Sequence, residues 1–340
     1  MSVLIEVFIA FVPVAAFLAI MLTFDSYKLV SVYETAITLS AGAALCLVSY
    51  WLNAAVLSST ALDFRIYSEY LAPVVEETIK ASAIMWLLGV NRIGFRIDAA
   101  IMGFAVGTGF ALVENLYYLY ALPEANIGVW IVRGFGTALM HGGATALFAI
   151  ISQTLFENSL RFNPLRYLPG LAAAIVLHIV YNHFYDDPLI AAVSVLVLLP
   201  VGLTLMFRKD ENKVHSWLLH DYQSHLHLLE EIKTGQYRNS EAGRFIAAMA
   251  RRFSPQHAAM MFDYIRVHTE LALRADKLDL ARGQGQPLPV EQSDRENFQK
   301  LHGLERRIGS TAMMALWPHL HFTRKQLWEL NEFEQEVKRA

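Results

Sequence analysis

The chain has 340 residues, of which 55% are hydrophobic and 17% charged, with a mean hydropathy of +0.34. A soluble globular protein carries roughly 25% charged residues, so an ordinary soluble enzyme is excluded, and the same numbers exclude disorder. The single Cys46 rules out a disulfide framework and a cysteine-based zinc site, and a net charge of −3 offers nucleic acid no electrostatic footprint.

Charge divides the chain. Of 28 Lys and Arg, 8 fall in residues 1–207 and 20 in residues 208–340. The first part reads as a membrane domain and the second as a polar, helical domain. Apolar runs long enough to cross a bilayer predict seven spans, at about 3–23, 35–57, 70–90, 98–120, 130–156, 168–186 and 189–207. The first has no basic leader and no small-residue cleavage pattern, so it reads as a span rather than a signal peptide. The third holds Glu76, Glu77 and Lys80, which lower its hydropathy. The fold class is therefore an all-α polytopic membrane bundle with a C-terminal helical domain.

Orientation follows from Lys and Arg in the short loops. Lys28, Arg92, Arg96, Arg161, Arg166, Arg208 and Lys209 fall on one side. The alternate loops carry only Arg65, while Pro123–Gly128 and the surroundings of Asp186 and Asp187 have none. The N-terminus is expected outside and the C-terminus in the cytoplasm.

In the tail, Leu218, Tyr222, Leu226, Leu229 and Ile232 form one apolar helical face. Ser254-Pro255 predicts a helix start, residues 283–294 a loop, and 294–308 and 323–338 further helices. Nine of the 12 histidines lie here. His215, His220, His225 and His227 admit a metal-cluster reading, but a solvated helix face is the plainer one. No strand alternation and no internal repeat stand out.

Ionisable groups inside a bilayer cost about 2.5–3.5 kcal/mol each at a helix centre and are usually functional. The membrane domain has several: Pro73-Val-Val-Glu76-Glu77-Thr-Ile-Lys80, Phe110-Ala-Leu-Val-Glu114-Asn115, His141-Gly-Gly-Ala-Thr145 and His178-Ile-Val-Tyr-Asn182-His183. At 1.5 Å per residue, Glu76 and Glu77 lie roughly 9–11 Å, Glu114 roughly 9 Å, His141 roughly 16 Å and His178 roughly 12 Å from the outer ends of their spans. Four antiparallel helices thus place their polar groups in one layer. Glu76 and Lys80 are four residues apart and are expected to pair, leaving Glu77 free. His178 and Asn182 share a face. Gly103, Gly107 and Gly109, with Gly134, Gly136, Gly142 and Gly143, permit close helix approach.

Such a layer suits water activation. Glu77 would be the general base, His141 and His178 would orient water or carry its proton, and Asn182 with a histidine would donate to an oxyanion. No Ser or Cys beside a His offers a better nucleophile, and span centres lack the Asp pair of an aspartate protease. The same groups have two other uses. Glu77, Glu114, His141 and His178 make a Zn²⁺ set, although there is no His-Glu-x-x-His. A proton- or ion-coupled transporter would line its path with similar residues.

At these residues the chain resembles the PrsW-type membrane proteases, within the glutamate intramembrane protease group that includes the CAAX-prenyl endopeptidases and the Abi/CPBP proteins. The shared pattern stands as Glu76-Glu77-Thr-Ile-Lys80, Phe110-Ala-Leu-Val-Glu114, His141 and His178-Ile-Val-Tyr-Asn182, over about residues 65–190. The prenyl endopeptidases have a His where this chain has Glu114. The resemblance implies a multi-pass endopeptidase of a bacterial cytoplasmic membrane that cuts single-span membrane proteins at the outer side. It implies Glu76, Glu77, Glu114, His141, His178 and Asn182 as catalytic, Lys80 and Asn115 as supporting, and Zn²⁺ as compatible but not required. Residues 208–340 lie outside it and are expected to dock a cytoplasmic partner. A scaffold without catalysis is a further reading of that tail.

Overall fold

A computed structural model describes residues 3–25, 30–157, 163–183, 187–250, 254–320 and 323–339. Lys28, Arg161 and Asp186, used above for orientation, lie outside them. Among the described residues there is no strand. The chain divides into two units, Met1–Glu211 and Asn212–Ala340.

The first unit begins with α1 (Val3–Phe24) and α2 (Val32–Ser59). Ser31 and Glu34 form a reciprocal capping box at the start of α2. A short turn, α3 (Phe64–Ile66), runs through a π turn at Tyr67–Leu71 into α4 (Ala72–Gly89). Asn91, in the left-handed region at φ 53°, ends α4, and Arg92 N–H returns to Leu87 O. Next come α5 (Arg96–Ala121) and α6 (Ile127–Val132). A second π turn at Arg133–Thr137 leads into α7 (Ala138–Phe156), followed by α8 (Leu168–His183). The last helix, α9 (Pro188–Thr234), leaves this unit at Glu211.

Among the described residues, six helices are long and apolar enough to cross a membrane. The expected third span is α4, 18 residues with three charged side chains, which falls short on composition. The expected seventh span does not end its helix at 207. Hydropathy drops there, but Arg208-Lys-Asp-Glu-Asn-Lys213 contains no glycine or proline to break the ladder.

The centre is α5, buried almost continuously from Ile97 to Ala111. The outer helices leave apolar side chains such as Phe8, Trp51, Val176 and Leu198 exposed, as lipid-facing residues do. Two glycines let the backbones touch. A Cβ on Gly107 would lie 2.2 Å from His141 O, and one on Gly109 would lie 1.9 Å from Leu39 O, so neither position accepts alanine without moving a helix. At one end of the unit Arg92 pairs with Glu34, and Arg96 reaches Glu157 and Asp210. That ring gathers the ends of α2, α4, α5, α7 and α9 predicted to share one side.

The second unit holds the rest of α9, then α10 (Glu241–Ala250), α11 (Pro255–Gly283), α12 (Gln292–Ile308), α13 (Ser310–Leu320) and α14 (Arg324–Arg339). Ser254 caps α11 by accepting from His257 N–H, as its sequence predicts. α13 is not among the expected helices. It sits between Gly309, at φ 83°, and residues beyond Leu320, and includes Pro318. Ile246, Met261, Val267, Leu271, Phe298 and Leu316 lie in the core.

The buried face of α9 here keeps Leu218 and Leu229 of the predicted one, with Ile232 packed against the core, but is turned from it at Leu226. Val214, Leu218, Asp221, His225 and Leu229 point inward, while Leu226 is 42% exposed. His215, His220 and His227 are exposed, in keeping with a solvated face, but His225 is buried.

Candidate active site

Four helices bring polar groups inward to one place. Glu76 and Glu77 come from α4, Glu114 from α5, His141 from α7 and His178 from α8. Lys80, fully buried, lies 2.5 Å from Glu77 Oε1 and 3.0 Å from His141 Nδ1. His178 Nδ1 lies 2.8 Å from the same Glu77 oxygen. His141 Nε2 is 3.1 Å from Glu114 Oε2, and the two imidazoles meet edge to face at 4.8 Å. Phe110 supplies a wall under Lys80, whose Nζ is 4.8 Å from the ring centre.

The expected Glu76–Lys80 pair does not form. Three- and four-residue spacings both permit contact on a helix, and burial decides between them. Lys80 points into the protein and takes the fully buried Glu77, whereas the Glu76 side chain is 14% exposed and turns elsewhere. Its Oε1 accepts from Asn53 Nδ2 at 3.4 Å, and its Oε2 stands 4.0 Å from His178 Nε2.

These contacts set proton positions. An ammonium at Lys80 makes His141 Nδ1 an acceptor, so His141 Nε2 carries the hydrogen and donates to Glu114. The carboxylate of Glu77 accepts from His178 Nδ1, which leaves His178 Nε2 with a lone pair facing Glu76. Two acceptors 4.0 Å apart are too far for a direct hydrogen bond. They bracket a position for a water or a cation.

Around this centre lies further support, of which the sequence reading named only Asn115. Arg133 Nη2 is 3.1 Å from Glu114 Oε2, Arg133 Nε donates to Asn115 Oδ1 at 2.9 Å, and the guanidinium stacks over Tyr118 at 3.7 Å. Asn115 in turn donates to Ala10 O at 2.8 Å, tying α5 to α1. Tyr67 OH donates to Asn53 Oδ1 at 2.7 Å and so fixes the amide beside Glu76. Arg133 and Asn53 both sit inside apolar runs, so the criterion that picked out the glutamates applies to them as well.

Asn182 serves the backbone. Its Nδ2 donates to Ser68 O at 3.1 Å. In the π turn the bonds step by five residues, with Ala72 N–H reaching Tyr67 O. The next donor in that step would be residue 73, a proline with no N–H. Asn182 fills that gap. At the second π turn, Tyr181 OH lies 3.2 Å from the Thr137 side-chain hydroxyl. Next to Asn182, His183 Nε2 contacts Tyr70 OH at 2.7 Å.

For a metal, Glu76, His141 and His178 each bring one ligand atom within 4.8 Å of the others. The set differs from the expected Glu77, Glu114, His141 and His178, because Glu77 and Glu114 are turned to the histidines as hydrogen-bond partners. Two imidazoles and a carboxylate with an open position are a catalytic zinc donor set, and a carboxylate behind a ligating histidine is its usual support. His141 has to give up Lys80 or Glu114 to join it.

A family model described as PrsW family intramembrane metalloprotease matches residues 8–206. The chain belongs to this family. It is a multi-pass membrane protease, a hydrolase, as the motifs quoted above imply. The match favours the peptidase over the transporter reading. No curated protein and no solved structure matches the chain. The family match ends before the second unit.

Proposed function

We propose that this PrsW-family protease cleaves single-span membrane proteins near the outer face of a bacterial cytoplasmic membrane, with its own N-terminus outside and its C-terminus in the cytoplasm. Glu76 is the general base, and a water between Glu76 Oε2 and His178 Nε2 is the nucleophile. The observation that carries this is the 4.0 Å gap between those two atoms, beside a Glu77 already engaged by Lys80 and His178.

The two glutamates thereby divide the work differently from the sequence expectation. Glu77 orients the His178 imidazole and holds its tautomer. Glu76, less buried and not bound to a cation, takes the proton from water as it attacks the peptide carbonyl. Glu114 and Arg133 hold His141 in place. Asn182 uses one amide hydrogen on Ser68 O and keeps its second for the carbonyl oxygen of the substrate. Where a metal is present, Glu76, His141 and His178 would hold it, and it would supply Lewis-acid activation of water or carbonyl. The second unit is proposed to dock a cytoplasmic partner.

The test is a census of new protein N-termini in membranes from cells making wild type, Glu76→Gln or Glu77→Gln at equal levels. Ends at the outer edge of single-span proteins are expected with wild type only. Loss of general-base catalysis costs about 10²–10⁴ in rate. Wild-type cleavage by Glu76→Gln would remove the glutamate from the base role.

A further inference from the structure

The second unit contains a polar cluster that the protease reaction does not use. Asp221 and His225, one turn apart on α9, meet Asp276 of α11, and the three offer ligand atoms within 4.8 Å of one another. His225 Nδ1 is 2.7 Å from Asp276 Oδ2. Gln326 of α14 donates to Asp221 Oδ1 at 2.8 Å, and Glu329, one turn further along α14, reaches hydrogen-bonding distance of Asp276.

Three facts make this more than a satisfied network. First, all four residues are buried, Asp276 completely. Second, Asp221 Oδ2 is buried with no hydrogen-bond partner, and Asp276 and Glu329 set carboxyl against carboxyl with no other donor on Asp276 Oδ1 or Glu329 Oε1. Third, Asp221 and His225 occupy the same inward face of α9 as Val214, Leu218 and Leu229, so they cannot turn to solvent without exposing those apolar residues. Among the described residues no Lys or Arg pairs with these three carboxylates, so one imidazole faces up to three negative charges. A buried uncompensated carboxylate costs several kcal/mol.

We propose that the second unit binds one divalent transition cation, with Asp221, His225 and Asp276 as its ligands and Glu329 beside them. Carboxylates with an imidazole suit zinc or manganese, whereas calcium and magnesium favour all-oxygen sets. The cation satisfies the orphaned oxygen of Asp221, compensates the facing carboxyls of Asp276 and Glu329, and staples α9 to α11, with α14 held through Gln326 and Glu329. The site is independent of the proteolytic centre and of any metal there.

The experiment uses the untagged full-length protein in detergent, equilibrated with zinc and manganese, freed of loose ions and analysed for bound metal. His178→Ala removes the membrane-embedded donor set. That protein is expected to retain one equivalent, and Asp221→Asn or Asp276→Asn on the same background is expected to lose it. Hydrogen exchange provides the readout that needs no tail variant. Chelation of the His178→Ala protein is expected to speed exchange in α11 and α14 at least tenfold, and adding zinc back to restore it. Absence of metal from the His178→Ala protein, its persistence in Asp276→Asn, or unchanged exchange on chelation would each overturn the proposal in favour of carboxyls sharing protons.

Discussion

In the membrane unit, Glu77 and Glu114 are buried beside Lys80 and Arg133. In the second unit, Asp276 and Glu329 are buried and, among the described residues, have His225 alone as a cationic neighbour. Both clusters combine carboxylates with imidazoles gathered from distant helices. The first carries its own countercharges, and its one gap, between Glu76 and His178, faces the position of a reactant. The second leaves an oxygen orphaned and closes only when something positive enters. Charge compensation therefore separates a centre built to exchange water and substrate from one built to retain an ion.

The sharpest way to break that contrast is Lys80→Met, which strips the membrane cluster of its ammonium. Leaving Glu77 buried without its cation, with only the His178 hydrogen bond, is expected to destabilise this unit by about 3–5 kcal/mol and to abolish cleavage. Thermal unfolding in detergent measures the first and fragment release the second. A midpoint unchanged from wild type would mean that the Lys80–Glu77 pair contributes nothing.

In the second unit the handle is pH, on chelator-treated protein. Burial, with the neighbouring His225, holds the His268 imidazole down at about 3. The unfolded chain takes up this proton near pH 6.5 and the folded one does not. The contribution of His268 is thus complete above about pH 6.5 and is lost as pH falls toward 3, at up to about 1.4 kcal/mol per pH unit. Glu329 acts in the opposite sense: burial, with the neighbouring Asp276 and Asp279, raises its carboxyl, which stabilises the fold at low pH, and the contribution is lost as pH rises through the folded value. Protection of α11 amides, corrected for intrinsic exchange, should fall between pH 6 and 5 in wild type and stay flatter in His268→Gln. Parallel slopes would show that His268 is protonated in the fold.

The smallest expected effect is Asn182→Ala. Losing the bond to Ser68 O should cost about 1 kcal/mol, with a larger fall in cleavage than in stability, because the amide also faces substrate. Equal, small losses in both would confine Asn182 to bracing the π turn.

Much of the membrane cluster was legible before any coordinates. Carboxylates and imidazoles are so costly in apolar spans that Glu76, Glu77, Glu114, His141 and His178 announce themselves, and antiparallel helices of known rise bring them to one depth. Which partner each takes was not legible. Lys80 chooses between two glutamates a residue apart by which one is buried, and burial depends on α7 and α8 arriving. Asn182 was read as facing chemistry, but half its amide answers a proline more than a hundred residues away. The polar cluster on α9 was hidden for another reason. Asp221 and His225 show only an unremarkable four-residue spacing, and their partners on α11 and α14 have no sequence signal that links them.

The two π turns have a consequence for the length of the chain. A π turn is an α-helix holding one residue more than its ladder needs. Deleting one residue within Tyr67–Leu71 or Arg133–Thr137 should therefore heal the ladder and leave both flanks facing as before, with Arg65 and Glu76, or Trp130 and His141, still in phase. The same deletion between Glu76 and Lys80 would turn everything beyond it by about 100°. The protein thus has two places where it tolerates shortening, each directly before a residue of the polar centre. What it would forfeit at the first is the spare carbonyl, Ser68 O, on which Asn182 is anchored.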